Sequence, residues 1–375
     1  MSASGTAFAG RRIVAKFGSN LLTGGGGELD AEVMSDLVRQ VAELVRAGAQ
    51  VAIVTSGAIV AGRNRLGAAS KQANIEQRQV LAAIGQSHLV ERYDTLLREH
   101  GLIAAQALLT RADLADRAGY LNARNTLEGL LAAGVVPVIN ENDVVADEEL
   151  RGGAWGENDR LSALVANLLD ADLLVLLSDV AGLYDRDPRE HPEATLLPEV
   201  SDFDRALGFA GLPGDRGRGG MRAKLEAARL ASGSGTTVVI AAGQAPDALL
   251  RVARGEALGT RFPARASRLE SRKRWLLSGL APAGGIVVDD GAAGAVRRNG
   301  RSLLAAGIVE VEGTFSRGDI VEVRDRSGGR VAVGISNYNA ADIERIQGER
   351  SDRIAGILGY EYGDEVIHRN NLALP

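Results

Sequence analysis

The chain has 375 residues, of which 45% are hydrophobic and 24% charged, a balance that excludes wholesale disorder. Its length predicts two or three domains, and a formal charge of −5 argues against a protein built mainly to coat nucleic acid. With no cysteine there is no disulfide, thiolate nucleophile or thiolate-bound metal, and the four histidines (His88, His100, His191, His368) lack ligand spacing. No metal-ligating set is predicted. No apolar run approaches the roughly 18 residues of a membrane span, and Met1 to Gly10 lacks the features of a signal peptide. The expected location is cytoplasmic, with no membrane partner.

In chain order, Arg12 to Phe17 reads as a strand ending at Gly18. Asp30 is a predicted N-cap for a helix whose apolar face is Val33, Met34, Leu37, Val38, Val41, Leu44 and Val45, closed by Gly48. A strand over Gln50–Thr55 runs into Ser56-Gly57-Ala58. A long helix over about 74–100 precedes a strand over Leu102–Leu109. Then come a helix (Leu121–Ala133), a strand (Val135–Ile139), a helix (Leu161–Leu169), a strand (Leu173–Leu177), a helix (Met221–Leu230) and a last strand (Thr236–Ile240). Such alternation predicts an α/β fold with a mainly parallel open sheet sandwiched by helices.

Between Arg261 and Arg274 six cations face one acid, and the window reads as an exposed linker. Beyond it come short strands with glycine turns, over 286–288, 308–311, 320–323 and 331–333, and a short helix over 341–346. A small β-rich C-terminal domain is expected. The predicted layout is a first domain over 8–265, a linker over 266–284 and a second domain over 285–375.

Ligands of open α/β sheets bind at the carboxyl ends of the strands. There the chain places Lys16-Phe-Gly-Ser-Asn, Thr55-Ser-Gly-Ala, Asn140-Glu-Asn-Asp and Ser178-Asp179. Each alone has an ordinary explanation as a turn, a cap or a solvated cation. Four at one edge point to a site. The cation count sharpens this: only Lys16, Lys71, Lys224 and Lys273 are lysine, and the other 39 of 43 are arginine. A lysine kept in such a chain signals that a compact ammonium is needed. Lys224 follows the glycine-rich piece Gly217-Arg-Gly-Gly-Met-Arg-Ala-Lys224, which opens a helix where backbone N–H groups favour an anion. Neither a Walker A loop nor a GxGxxG fingerprint is present.

Lys16-Phe-Gly-Ser, Val54-Thr-Ser-Gly-Ala-Ile and Pro137-Val-Ile-Asn-Glu-Asn-Asp143 resemble the amino acid kinase superfamily, and within it the bacterial glutamate 5-kinases. The resemblance runs on through Leu109-Thr-Arg-Ala-Asp, Gly156-Glu-Asn-Asp-Arg-Leu-Ser-Ala, Gly182-Leu-Tyr-Asp-Arg-Asp-Pro and the glycine-rich piece at 217–224. In the tail, Gly313-Thr-Phe-Ser-Arg-Gly-Asp and Gly356-Ile-Leu-Gly-Tyr-Glu-Tyr-Gly look like the PUA domain that many members carry.

This resemblance implies ATP-dependent phosphorylation of the L-glutamate γ-carboxylate to L-glutamyl 5-phosphate, for proline biosynthesis, with Mg²⁺ accompanying ATP. Carried onto matching positions, it implies that Lys16 and Lys224 contact the transferred phosphoryl group and that Asp159 orients both lysines. Ser56, Asp143 and Asn158 are expected to hold glutamate. Lys16, Ser178, Asp179, Arg218, Gly219, Gly220, Met221, Arg222, Ala223 and Lys224 are expected to border ATP. The chain departs from the family pattern at Ser178 (commonly Thr), Glu157 (usually Asp) and Arg222-Ala223 (usually a Ser-Thr pair). Proline as feedback inhibitor and a homo-oligomer are further implications. Alternatives are another superfamily kinase, acting on aspartate or acetylglutamate, or an RNA-binding PUA protein. The last is disfavoured: residues 285–370 hold 11 cations against 14 acids, and a phosphate-gripping domain should be basic.

Overall fold

The computed structural model describes residues 8–67, 74–146, 157–209, 220–265 and 282–374. These form two compact units, one of residues up to Ala115 together with Ala123–Ala266, the other of Asp116–Asn122 together with Ser267 onward.

The first unit is built on seven strands: β1 (Arg12–Phe17), β2 (Gln50–Val54), β3 (Ala104–Leu109), β4 (Val136–Glu141), β5 (Leu173–Ser178), β6 (Thr237–Ala242) and β7 (Thr260–Phe262). Their order is β3-β4-β2-β1-β5-β6-β7, all parallel except β7, which runs antiparallel to β6. β4 and β5 are buried at every residue, which is why they read as apolar runs rather than alternating patterns. Strand order departs in both directions from central β1, so the crevice of this sheet opens beyond the carboxyl ends of β1, β2 and β5.

Among the described residues, ten helices belong to the same stretch: α1 (Ser19–Leu22), α2 (Ala31–Arg46), α3 (Ala58–Leu66), α4 (Ile75–Glu99), α5 (Arg111–Ala115), α6 (Arg117–Ala132), α7 (Glu157–Leu168), α8 (Phe203–Phe209), α9 (Met221–Gly233) and α10 (Ala248–Ala253). Asp30 caps α2 through the N–H groups of Glu32 and Val33. Asn74 and Gln77 form a capping box on α4. α3 and α4 touch backbone to backbone: a Cβ on Gly62 would lie 1.8 Å from the Leu81 carbonyl oxygen, and one on Gly85 would lie 1.8 Å from that of Ala58.

The structure corrects several expectations. β7 was not expected, and Arg261 and Phe262 lie in it rather than in a linker. Three residues on a sheet edge carry too little pattern to be seen. α3, rich in alanine and glycine, and the short α8 and α10 also lack a readable apolar stripe. α7 begins at Glu157 instead of Leu161, because its first turn is wholly polar. Residues 266–281 of the expected linker lie outside the described residues.

The second unit carries a five-stranded sheet of β8 (Gly284–Val288), β10 (Ile308–Glu312), β11 (Ile320–Asp325), β12 (Arg330–Ile335) and β14 (Leu372–Ala373), ordered β10-β8-β11-β12-β14. β9 (Leu303–Leu304) and β13 (Glu365–Ile367) pair separately. Helix α11 (Asp290–Asn299), capped by Asp289, was not expected, since small residues dominate it; α12 (Ala340–Ile346) was. Ile286, Val323, Val331, Tyr338 and Ile343 lie in its own core.

Candidate active site

The site grows from the end of β1. Lys16 pairs in register with Val54 on one side and Leu176 on the other, so its backbone is fixed from both flanks. Gly18 follows; a Cβ there would stand 3.7 Å from the Lys16 ammonium, so glycine leaves that space open. α7 packs on β1 and against α9. It thereby carries Asp159, in its first turn, between two lysines. Asp159 Oδ1 lies 2.6 Å from Lys16 Nζ, and Oδ2 lies 3.3 Å from Lys224 Nζ. Only 1% of the Asp159 side chain is exposed, against 7% for Lys16 and 12% for Lys224.

Burial is the largest influence on Lys16. It lowers the pKa below the ordinary 10.5; Asp159 pulls it back up, while the neighbouring Lys224 charge pushes down. Burial also pushes the Asp159 carboxyl up, but the two ammoniums outweigh it and leave the pKa below the ordinary 3.8. A carboxylate in the first turn of a helix is favoured further by the helix dipole.

A second cluster lies where β2 ends. Asn158, next to Asp159 on α7, donates from Nδ2 to Ser56 Oγ at 3.0 Å, and its buried Oδ1 has no hydrogen-bond partner. Gly57 turns the chain into α3 with φ of 105°, a conformation open to glycine and strained for other residues. Beneath the turn, Thr55 Oγ1 lies 2.8 Å from the Tyr93 hydroxyl and 3.2 Å from the Ser56 carbonyl oxygen. The Tyr93 phenol therefore donates to Thr55, and Thr55 donates on to Ser56. Burial pushes the Tyr93 pKa up, which keeps it a donor.

β4 lies abreast of β2, with Thr55 N–H donating to the Ile139 carbonyl at 2.9 Å. Asn140, 1% exposed, donates from Nδ2 to Gln86 Oε1 on α4 at 2.8 Å. Asp143 stands in the turn after β4, half-buried. On the other side of β1, the Ser178 hydroxyl accepts from the Val180 N–H at 3.3 Å, and Asp179 accepts from Asn20 Nδ2 at 3.0 Å. Gly220 precedes α9 without a side-chain cap. Met221, Arg222 and Ala223 form the first turn, and Arg222 pairs outward with Glu226 at 3.3 Å. Arg218 and Gly219 lie outside the described residues.

Lys16, Asp159 and Lys224 are thus brought into direct contact, as are Ser56 and Asn158. Asp143, Ser178, Asp179 and Gly220 occupy the same strand and helix ends, and the Gly220 carbonyl accepts from the Lys224 N–H at 3.5 Å. The sequence reading named Thr55 only within its strand-end string and missed Gln86 and Tyr93 as supports of this edge. The signal was present in α4: Gln86 and Tyr93 stand seven residues apart, on one face of the helix, directly after the small residue Gly85.

Two helix starts without side-chain caps, those of α3 and α9, and two ammoniums sharing one carboxylate are features whose chemistry favours an anion. Residues 11–242 match the model of the amino acid kinase family, and residues 284–358 match the PUA domain. A glutamate 5-kinase of Dehalococcoides mccartyi strain CBDB1 is 52% identical over 366 residues, which is 97% of this chain and 98% of that protein. The chain belongs to the glutamate 5-kinase family. Others of the family are similarly close: that of Herpetosiphon aurantiacus is 49% identical over 96% of this chain and 97% of its own length. That of Deinococcus radiodurans is 48% identical over 97% of this chain and 99% of its own. The match covers both units, and this one chain carries both the kinase and the PUA domain matches.

Proposed function

We propose that the cluster at the ends of β1, β2, β4 and β5 is where this chain works as a glutamate 5-kinase, transferring the γ-phosphoryl group of ATP to L-glutamate in the first step of proline biosynthesis. The observation that carries the reading is the single buried carboxylate of Asp159 bridging Lys16 and Lys224 at the crevice of the sheet. A γ-carboxylate oxygen of glutamate attacks the γ-phosphorus, the bond to the β,γ-bridging oxygen breaks, and ADP leaves with that electron pair. The nucleophile is already ionised, with a solution pKa near 4.3, so no catalytic base is required. Phosphoryl transfer asks mainly for positioning and neutralisation of spread negative charge.

Lys16 and Lys224 supply the neutralising charge, and Asp159 holds their ammoniums in place. Ser56 and Asn158, already bonded to each other, and Asp143 hold the amino acid. Ser178, Asp179 and the start of α9 border the nucleotide. Mg²⁺ enters with ATP. Among the described residues no three His, Cys, Asp or Glu side chains converge as a metal cage, a donor set that fits an ion carried by phosphates and water. Bound there, it would neutralise charge on the β- and γ-phosphates. Feedback inhibition by proline, a homo-oligomeric assembly and a cytoplasmic location belong to the same reading and are supported by family resemblance. Among the described residues no helix is long and apolar enough to cross a membrane.

The test is coupled ADP release with ATP, Mg²⁺ and a panel of acidic amino acids. Glutamate should be the preferred acceptor. Turnover of aspartate or acetylglutamate in its place would overturn the assignment.

A further inference from the structure

Gln86 and Asn140 form a part-buried amide pair that leaves two buried polar atoms unpaired, Gln86 Nε2 and Asn140 Oδ1. The arithmetic survives a flip of both amides: one bond between two carboxamides consumes one donor and one acceptor, so the pair always presents a free N–H group and a free carbonyl oxygen. Such atoms are costly to bury unless something completes them. The completing group must both accept and donate hydrogen bonds. A zwitterionic α-amino acid does so, through its carboxylate and its ammonium.

Position supports the same conclusion. Ala58 stands two residues after Ser56, and its carbonyl oxygen would lie 1.8 Å from a Cβ on Gly85; Gln86 is the next residue. Asn140 is held level with the Ser56 turn by the Thr55–Ile139 hydrogen bond. Across that turn, Asn158 presents a third unpaired buried atom, the acceptor Oδ1.

We propose that Gln86 is a further specificity-determining residue, donating from Nε2 to the α-carboxylate of the acceptor amino acid, while Asn140 Oδ1 and Asn158 Oδ1 accept from its α-ammonium. The inference rests on the glutamate reading above. The Gly62–Gly85 contact is what brings α4 close enough to deliver this side chain: a larger residue at either position would lift Gln86 away from the site.

The decisive variant is Gln86→Glu, which keeps the volume and the acceptor for Asn140 Nδ2 but replaces the free donor with a negative oxygen. It should raise KM for glutamate by about 10- to 100-fold and leave KM for ATP within about twofold. Gln86→Leu should show the same direction. Inhibition by glutarate, which lacks the ammonium, should weaken in parallel, whereas inhibition by 4-aminobutyrate, which lacks the α-carboxylate, should not. An unchanged glutamate KM in a variant with wild-type melting temperature would overturn the inference, as would an equal rise in both substrates' KM. Wild-type protein that fails to phosphorylate glutamate would instead overturn the functional reading itself.

Discussion

The Lys16 ammonium and the Asp159 carboxylate stand 2.6 Å apart with almost no access to water, and the second oxygen of the same carboxylate faces Lys224. One acid therefore sets the position of both cations proposed to meet the phosphates. A shared tether of this kind makes the lysines act as a unit, and it gives each of them a testable role.

Replacing Lys16 or Lys224 by alanine should lower kcat by about 10²–10³ with smaller changes in either KM. An ammonium at the transferring phosphoryl group acts more on the transition state than on the ground state. Arginine should rescue poorly, because its planar fork cannot occupy the same point. Steady-state kinetics of the two alanine and two arginine variants check this, with Lys71→Ala and Lys273→Ala, both outside the motifs and the described residues, as controls near wild type. Normal kcat in the site variants would remove the lysines from the chemistry.

Asp159→Asn should cost stability as well as activity, by about 3–5 kcal/mol at neutral pH, because it leaves buried charge unpaired. The pH dependence has a definite sign. The folded pKa of Asp159 is depressed, so its contribution is complete above the unfolded value, about 3.9, and is lost as pH falls through the folded value. The gap in melting temperature between wild type and variant should therefore be level from about pH 8 to pH 5 and close at more acid pH. A gap that widened on acidification would contradict the ion-pair account.

Asp143→Ala and Asn158→Ala should weaken glutamate use by roughly 10- to 150-fold, the loss of one hydrogen bond to a charged group, and leave nucleotide binding nearly intact. Isothermal titration with a non-hydrolysable ATP analogue, beside glutamate KM values, separates the two. Nucleotide affinity falling as far as glutamate affinity would show that the amino acid lies elsewhere.

Gly85→Ala should destabilise by at least about 1–3 kcal/mol through overpacking, since its Cβ would overlap the Ala58 carbonyl and the Gly62 nitrogen. Gly129→Ala makes a matched comparison. Gly129 lies inside α6 with no heavy atom within 4 Å of a Cβ, and alanine there should stabilise by about 0.5–1 kcal/mol. Thermal melts that ranked the two the other way would count against the helix–helix contact.

Much of this was legible in the residues themselves. Buried parallel strands announce themselves as apolar runs, so β1, β4 and β5, and the polar strings that end them, could be placed from sequence. Lys16 and Lys224 stood out against a background of arginine. What could not be read was contact. Asp159 sits in a polar first turn that periodicity cannot assign to a helix, so its place between the lysines was implied by the family resemblance alone, and the packing of α7 on β1 and α9 supplies the contact. Gln86 and Tyr93 look like ordinary interruptions of an amphipathic pattern, because the residues that make them matter, Asn140 and Thr55, lie on strands 54 and 38 positions away. β7 and α10 are too short for any pattern to rise above composition.

The sharing of Asp159 has an electrostatic remainder. Among the described residues one carboxylate bridges the two ammoniums and Asp179 adds a weaker pull on Lys16, while the two lysines act against each other. That repulsion opposes folding, and a polyphosphate bound at the proposed site would offset it. Ligands that bring negative charge to this point bind the folded form alone and should raise its melting temperature in proportion to that charge, pyrophosphate above sulfate, and both above a neutral sugar of similar size. On the proposed reading, the charge that would serve the chemistry is the same charge that a bound anion would stabilise.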